Sequence, residues 1–163
     1  MLSLWQSLSL SVHPVAGYAG SIPVTWYAIM YGIGALFAAF YFLKIVKKEA
    51  LLTDSALSIE LISTIFWGVL IGARIGYIIF YGDIGFILEP WRIISPYDFT
   101  QGVWTGIRGM SFHGGLIGGA IGLWMFTRQA NRPFFQFSDA LVQAVPIALL
   151  FGRMGNFLNQ EIL

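Results

Sequence analysis

Apolar residues in this chain run in long unbroken stretches, unlike the alternation of a half-buried strand or the one-sided stripe of a soluble helix. Four stretches, near 24–43, 57–81, 110–127 and 139–159, approach or exceed the roughly 20 helical residues needed to cross a hydrocarbon core of about 30 Å. Polar residues collect between them, in a short loop at 44–55 (KIVKKEALLTDS), a long mixed loop at 82–109 and a second short loop at 128–138 (RQANRPFFQFS). The pattern predicts an all-α, polytopic membrane helix bundle of about four transmembrane helices, forming a single membrane domain over 1–163 with no soluble domain or low-complexity tract. Thr53 or Asp54 is placed to cap the second helix and Ser138 the fourth, with Pro133 just ahead.

Composition agrees about the solvent. Hydrophobic residues make up 57% of the chain and charged residues 10%, against about 25% charged in an ordinary soluble domain. The net charge of +1 suggests no nucleic-acid partner. Cysteine is absent, which removes disulfides, a thiolate nucleophile and a thiolate metal site; no motif calls for a metal or any other cofactor. The opening MLSLWQSLSLSVHP lacks the basic region and cleavage site of a secretory signal and reads as a mature interfacial segment, with His13 at the surface.

Charge placement predicts orientation. Lys44, Lys47, Lys48, Arg128 and Arg132 fall in the short loops, whereas the long loop mixes Asp83, Glu89 and Asp98 with Arg92 and Arg108. The positive-inside rule puts the short loops in the cytoplasm and both ends of the chain outside. Trp26, Tyr27, Tyr31, Tyr77 and Tyr81 then lie where aromatic belts form.

Within the spans, Gly68, Gly72 and Gly76 recur every fourth residue, as do Gly114, Gly118 and Gly122, a spacing that lets helix backbones approach closely. Two arginines are harder to place. An arginine inside an apolar helix costs roughly 2.5–3.5 kcal/mol on insertion scales and seeks an anionic or carbonyl partner. Arg74 shares a face with residues 67, 70, 78 and 81 and suits snorkelling, an ion pair or a functional role equally. Arg153 is extended by Asn156 and Gln160 on one face, with Glu161 at its edge and Asn159 turned away. That makes a polar site near the outer leaflet, where a guanidinium fork matches the phosphate of a lipid headgroup. His113, in GIRGMSFHGGLIGG (106–119), and Tyr27 belong at the same depth, adding a group that moves protons near neutral pH and a hydroxyl. Asp139 reads as a helix-dipole or cap residue.

TWYAIMYGIG (25–34), GARIGYIIFY (72–81), RGMSFHGGLIGG (108–119) and FFQFSDALVQAVPIALLFGRMGNFLNQE (134–161) resemble the prolipoprotein diacylglyceryl transferase family, from about residue 13 to the end, and the run at 152–161 is close to a family signature. The resemblance implies a bacterial inner-membrane enzyme. It would transfer the diacylglyceryl group of phosphatidylglycerol to the thiol of the lipobox cysteine in a prolipoprotein signal peptide, forming a thioether and releasing glycerol phosphate. The nucleophile belongs to the substrate, which suits a chain without cysteine. By the same carry-over His113 is a candidate base, Arg153 a phosphate clamp and Tyr27 a third catalytic candidate. Asn156, Asn159 and Glu161 fall at site positions, Arg74 and Asp139 match motif positions of less defined role, and Gly114 and Gly115 let lipid or a neighbouring helix come close. Family members continue through about three more spans that supply a second site arginine, so this chain is expected to be an N-terminal portion of a seven-helix enzyme, inactive alone. Two other classes fit the residues without the resemblance: half of a secondary transporter for an anionic solute, and a non-catalytic scaffold binding anionic lipid through Arg74 and Arg153.

Overall fold

A backbone in hydrocarbon has no water to bond and closes its hydrogen bonds within one segment. The apolar stretches are accordingly helical in a computed structural model that describes residues 14–20, 22–82, 97–98, 103–104 and 110–159. The helices are α1 (Trp26–Lys48), α2 (Ser55–Tyr81), α3 (Phe112–Gln129) and α4 (Phe134–Leu158). α1, α2 and α4 are long and apolar enough to cross a membrane. α3, expected as a fourth span, is not among them: its 18 residues include Gly114, Gly115, Gly118, Gly119 and Gly122, and polar His113, Arg128 and Gln129 sit near its ends.

Caps explain most of the borders. The Thr25 hydroxyl accepts the Ala28 N–H at 3.2 Å and starts α1, while Lys47 and Lys48 close it on the negative end of its dipole. Of the two candidates for α2, Asp54 is the cap, its carboxylate accepting the Ala56 N–H at 2.7 Å. Ser111 caps α3 by accepting the Gly114 N–H at 3.3 Å. The expectation for α4 needs correcting: the helix begins at Phe134, directly after Pro133, and Ser138 lies inside it. Proline at the edge of a first turn loses no bond, and nothing in FFQF interrupts the helix. Two small antiparallel hairpins complete the described residues, β1 (Val15–Ala19) with β2 (Ile22–Thr25) around Gly20 at φ +65°, and β3 (Tyr97–Asp98) with β4 (Val103–Trp104).

The chain divides into two compact units, one of residues 1–48 with 139–163 and the other of residues 49–138. In the first, α1 and the greater part of α4 run antiparallel. Gly34 lies where a Cβ would come within 2.7 Å of the Phe151 Cβ, and the Phe37 and Phe151 rings stack at 5.5 Å. In the second, α2 and α3 touch backbone to backbone. A Cβ on Gly122 would fall 2.6 Å from the Thr64 carbonyl oxygen, and one on Gly72 would fall 2.7 Å from the Gly118 Cα. The two glycine ribbons therefore face each other, and the chain entering α3 is tied to α2 by the Ser111 N–H donating to the Ala73 carbonyl at 2.9 Å. Below them Leu61, Leu123, Phe126 and Phe137 are buried, the last two with ring centroids 6.2 Å apart. Large apolar side chains on all four helices remain exposed, among them Leu36, Phe40, Ile79 and Leu150, a surface suited to lipid rather than water.

Candidate functional site

Within the first unit the start of α1 and the end of α4 come together. Asn159, just past α4, accepts the Tyr27 backbone N–H through Oδ1 at 3.3 Å. That N–H is one of the first-turn donors α1 cannot satisfy itself, so the end of one helix caps the beginning of the other. Gly155 makes the approach possible: a Cβ there would lie 3.2 Å from both the Tyr27 Cα and the Met30 Cβ. One turn earlier on α4, Gly152 leaves room for the Tyr31 side chain, whose hydroxyl and two ring carbons would lie 3.2 Å from an added Cβ. The Tyr27 and Tyr31 rings meet at 4.4 Å.

Arg153 and Asn156 project from the turns that these glycines hold close to α1. Arg153 is exposed and Asn156 is partly buried. The Asn156 Oδ1 is fully buried and has no hydrogen-bond partner among the described residues. A buried unsatisfied acceptor costs about 1–3 kcal/mol, so one retained inside a helix marks a place where a further partner is expected.

The second unit holds the other candidates. His113 is the second residue of α3, exposed, with its ring edge-on to Phe112 at 5.8 Å. Gly114 and Gly115 behind it are buried, and a Cβ on Gly114 would lie 2.8 Å from the Gly76 Cα. Arg74, on α2, is half-buried with its guanidinium 5.9 Å from the centre of the Tyr77 ring, and Tyr77 stacks on Tyr81 at 5.7 Å. The C-terminal end of α2 and the start of α3 thus meet, with Arg74 and His113 among the residues of that end. Asp139 is exposed inside α4, five residues past its start, and its carbonyl accepts the Gln143 amide at 3.2 Å. Glu161 lies outside the described residues, as does His13.

The candidate set therefore divides into Tyr27, Arg153, Asn156 and Asn159 in one unit and Arg74, His113, Gly114 and Gly115 in the other. Sequence reasoning missed the packing partners Tyr31, Gly152 and Gly155. The signal was present, a glycine pair at i, i+3 around Arg153 and two tyrosines at i, i+4 on α1, but only their contact joins the two patterns. Asn159, turned away from the Arg153 face, has a role in capping that no local pattern announces.

A family model described as prolipoprotein diacylglyceryl transferase matches residues 14–163. Among curated proteins the chain is 39% identical over 168 residues to the phosphatidylglycerol–prolipoprotein diacylglyceryl transferase of Aliarcobacter butzleri, covering 99% of this chain and 60% of that protein. The protein of the same name from Chlorobaculum tepidum is 41% identical, covering 97% of this chain and 55% of its own length. That from Campylobacter curvus is 37% identical, with 99% and 60% covered. The chain thus spans somewhat more than half the length of these relatives.

Proposed function

The chain belongs to the prolipoprotein diacylglyceryl transferase family, and from that premise we propose that its residues serve the transfer of a diacylglyceryl group from phosphatidylglycerol to a prolipoprotein cysteine in a bacterial inner membrane. In this step the cysteine sulfur attacks the glyceryl carbon that carries the phosphate. A carbon–sulfur bond forms, the carbon–oxygen bond to the phosphate breaks, the thiol proton passes to a base, and glycerol phosphate leaves. A free thiol has a pKa of about 8.5 and is mostly protonated near neutral pH, so a base assists the attack, while a cation stabilises the charge gathering on the departing phosphate.

His113 is the proposed base. Its place at the exposed first turn of α3 leaves the ring accessible, and the cap and backbone tie made by Ser111 hold that turn against α2. Arg153 is the proposed phosphate clamp and Asn156 supplies a hydrogen bond to the lipid headgroup, while Arg74, in the second unit, is a proposed substrate-binding cation. Tyr27 and Asn159 shape the Arg153 end by joining α1 to α4. The proposed orientation, with these ends at the outer surface, follows from the lysines and arginines of the short loops.

The observation that carries this reading is the buried Asn156 Oδ1, one turn from Arg153 and without a partner among the described residues. It marks a polar site that the described residues do not satisfy, inside a helix apolar enough to span a membrane. The test is conversion of a lipobox peptide in phosphatidylglycerol-containing membranes by a chimera that joins this chain to the remaining part of the Aliarcobacter butzleri relative. Turnover should fall at least tenfold for Asn156→Leu, which keeps the volume and removes the amide. Unchanged turnover in that variant would remove the site from this end of α4.

A further inference from the structure

We propose that the groove between α2 and α3 seats one acyl chain of an anionic glycerophospholipid whose phosphate is held by Arg74 at the groove's end. The groove is a half-open cavity of about 450 Å³, almost wholly apolar, lying entirely within the second unit. Its floor is made by Gly68, Gly72, Gly118 and Gly122, where the two backbones touch and no described side chain of this unit fills the space above them. Its walls are Trp67, Ile71 and Ile75 on α2 and Ile121 and Met125 on α3, each between 51% and 57% exposed, so the described residues of this unit leave them largely uncovered.

Length and charge select the occupant. The α2 lining runs from Ser63 to Ile75, which at 1.5 Å per residue is about 18 Å along the helix. One leaflet of hydrocarbon is half of a core about 30 Å thick, so a single acyl chain lying along the groove matches it from end to end. Arg74 precedes the last lining residue and follows Trp67 by seven positions, which places it on the Trp67 side of α2. Tyr77 lies one turn further on, with its ring 5.9 Å from the guanidinium. The opposite end carries both signs: Glu60 lies one turn beyond Thr64, and Arg128 stacks on Trp124 at 5.5 Å. An anionic headgroup is therefore favoured at the Arg74 end, with its chain directed toward Ser63 and Met125. A guanidinium is also drawn more strongly to a headgroup of net negative charge than to the choline-bearing one, whose phosphate is offset by its own ammonium.

The proposal takes the lipid class, phosphatidylglycerol, from the transferase reading, and its test reads binding apart from turnover. The chain is placed in phosphatidylcholine vesicles with a trace of phosphatidylglycerol bearing a photoreactive acyl chain, and labelled peptides are mapped by mass spectrometry. Label should concentrate on the five wall residues severalfold above Leu36 and Phe40 of α1, which are more exposed than the walls. Excess phosphatidylglycerol should displace it and the same excess of phosphatidylcholine should not. Ile71→Trp and Ile121→Trp, which fill the groove from opposite walls, should each lower the label, and Arg74→Gln should abolish the preference for the anionic lipid. Label spread evenly over α1 and the groove, equal displacement by both lipids, or photo-crosslinks joining two copies through the groove would each overturn the proposal. Lipobox-peptide transfer is measured on the chimera in parallel. Transfer without groove labelling sinks the groove alone, and groove labelling without transfer upholds the groove while removing the transferase reading.

Discussion

Replacing Gly72 with alanine adds one methyl group at the closest approach of α2 and α3. That Cβ would meet the Gly114 carbonyl oxygen and stand 2.7 Å from the Gly118 Cα and 3.0 Å from its nitrogen, all backbone atoms with no rotamer through which to yield. Ordinary carbon contacts begin at about 3.5 Å, so the helices must part by roughly 0.8 Å, and a gap of that size forfeits a quarter to a half of each contact it opens. Overpacking of this kind costs about 1–3 kcal/mol, a factor of roughly 5 to 150 in the folded-to-unfolded ratio. Gly32→Ala on α1 is the control, since a Cβ there has nothing within 4 Å and the helix gains from alanine. Reversible unfolding in mixed micelles should show Gly72→Ala destabilised and Gly32→Ala not. The same displacement moves the first turn of α3, with His113, relative to α2, and misplacement by about 1 Å can cost on the order of 10²-fold in rate. Equal stability of the two variants would refute the backbone-to-backbone packing.

Three further outcomes are expected. Arg153→Lys keeps the charge but loses the bidentate fork, so transfer by the chimera should drop by about tenfold or more at unchanged expression, and normal activity would show that charge alone suffices. His113→Gln should lose activity near neutral pH and regain part of it as pH approaches the substrate thiol's own pKa of about 8.5, because the thiol then ionises unaided; activity equally low across that range would make His113 an orienting donor instead. Single cysteines at Lys47 and Asn131 should be shielded from an impermeant thiol reagent in intact cells and one at Asp98 should react, whereas reaction at all three positions would end the proposed orientation.

The membrane class, the helices and the start of α2 were legible in the chain because each depends on neighbours within one or two turns: hydropathy over some twenty residues, and the Thr53-Asp54 pair before α2, of which Asp54 is the cap. The polar face of Arg153 and Asn156 was legible for the same reason, and so was the family, carried by contiguous motifs. Local pattern was a poorer guide where two local signals competed. Ser138 resembles a helix start, yet Pro133 and the uninterrupted FFQF run begin α4 earlier. The β1–β2 hairpin rests on short strands with glycine and proline, and its pairing of Val15 with Thr25 has little periodicity to announce it.

Tertiary structure alone decided who meets whom. Every-fourth glycine on two helices says that each can be approached closely, but that Gly72 lies against Gly118 and Gly34 against Phe151 depends on pairing across long stretches of chain. In lipid no hydrophobic gain chooses the partner, so the choice falls to backbone shape and to single polar contacts between distant residues. Asn159 is the clearest case: its amide reads as one more polar group at a helix end, and becomes the cap of α1 only when the fold brings Tyr27, 132 positions earlier, beside it.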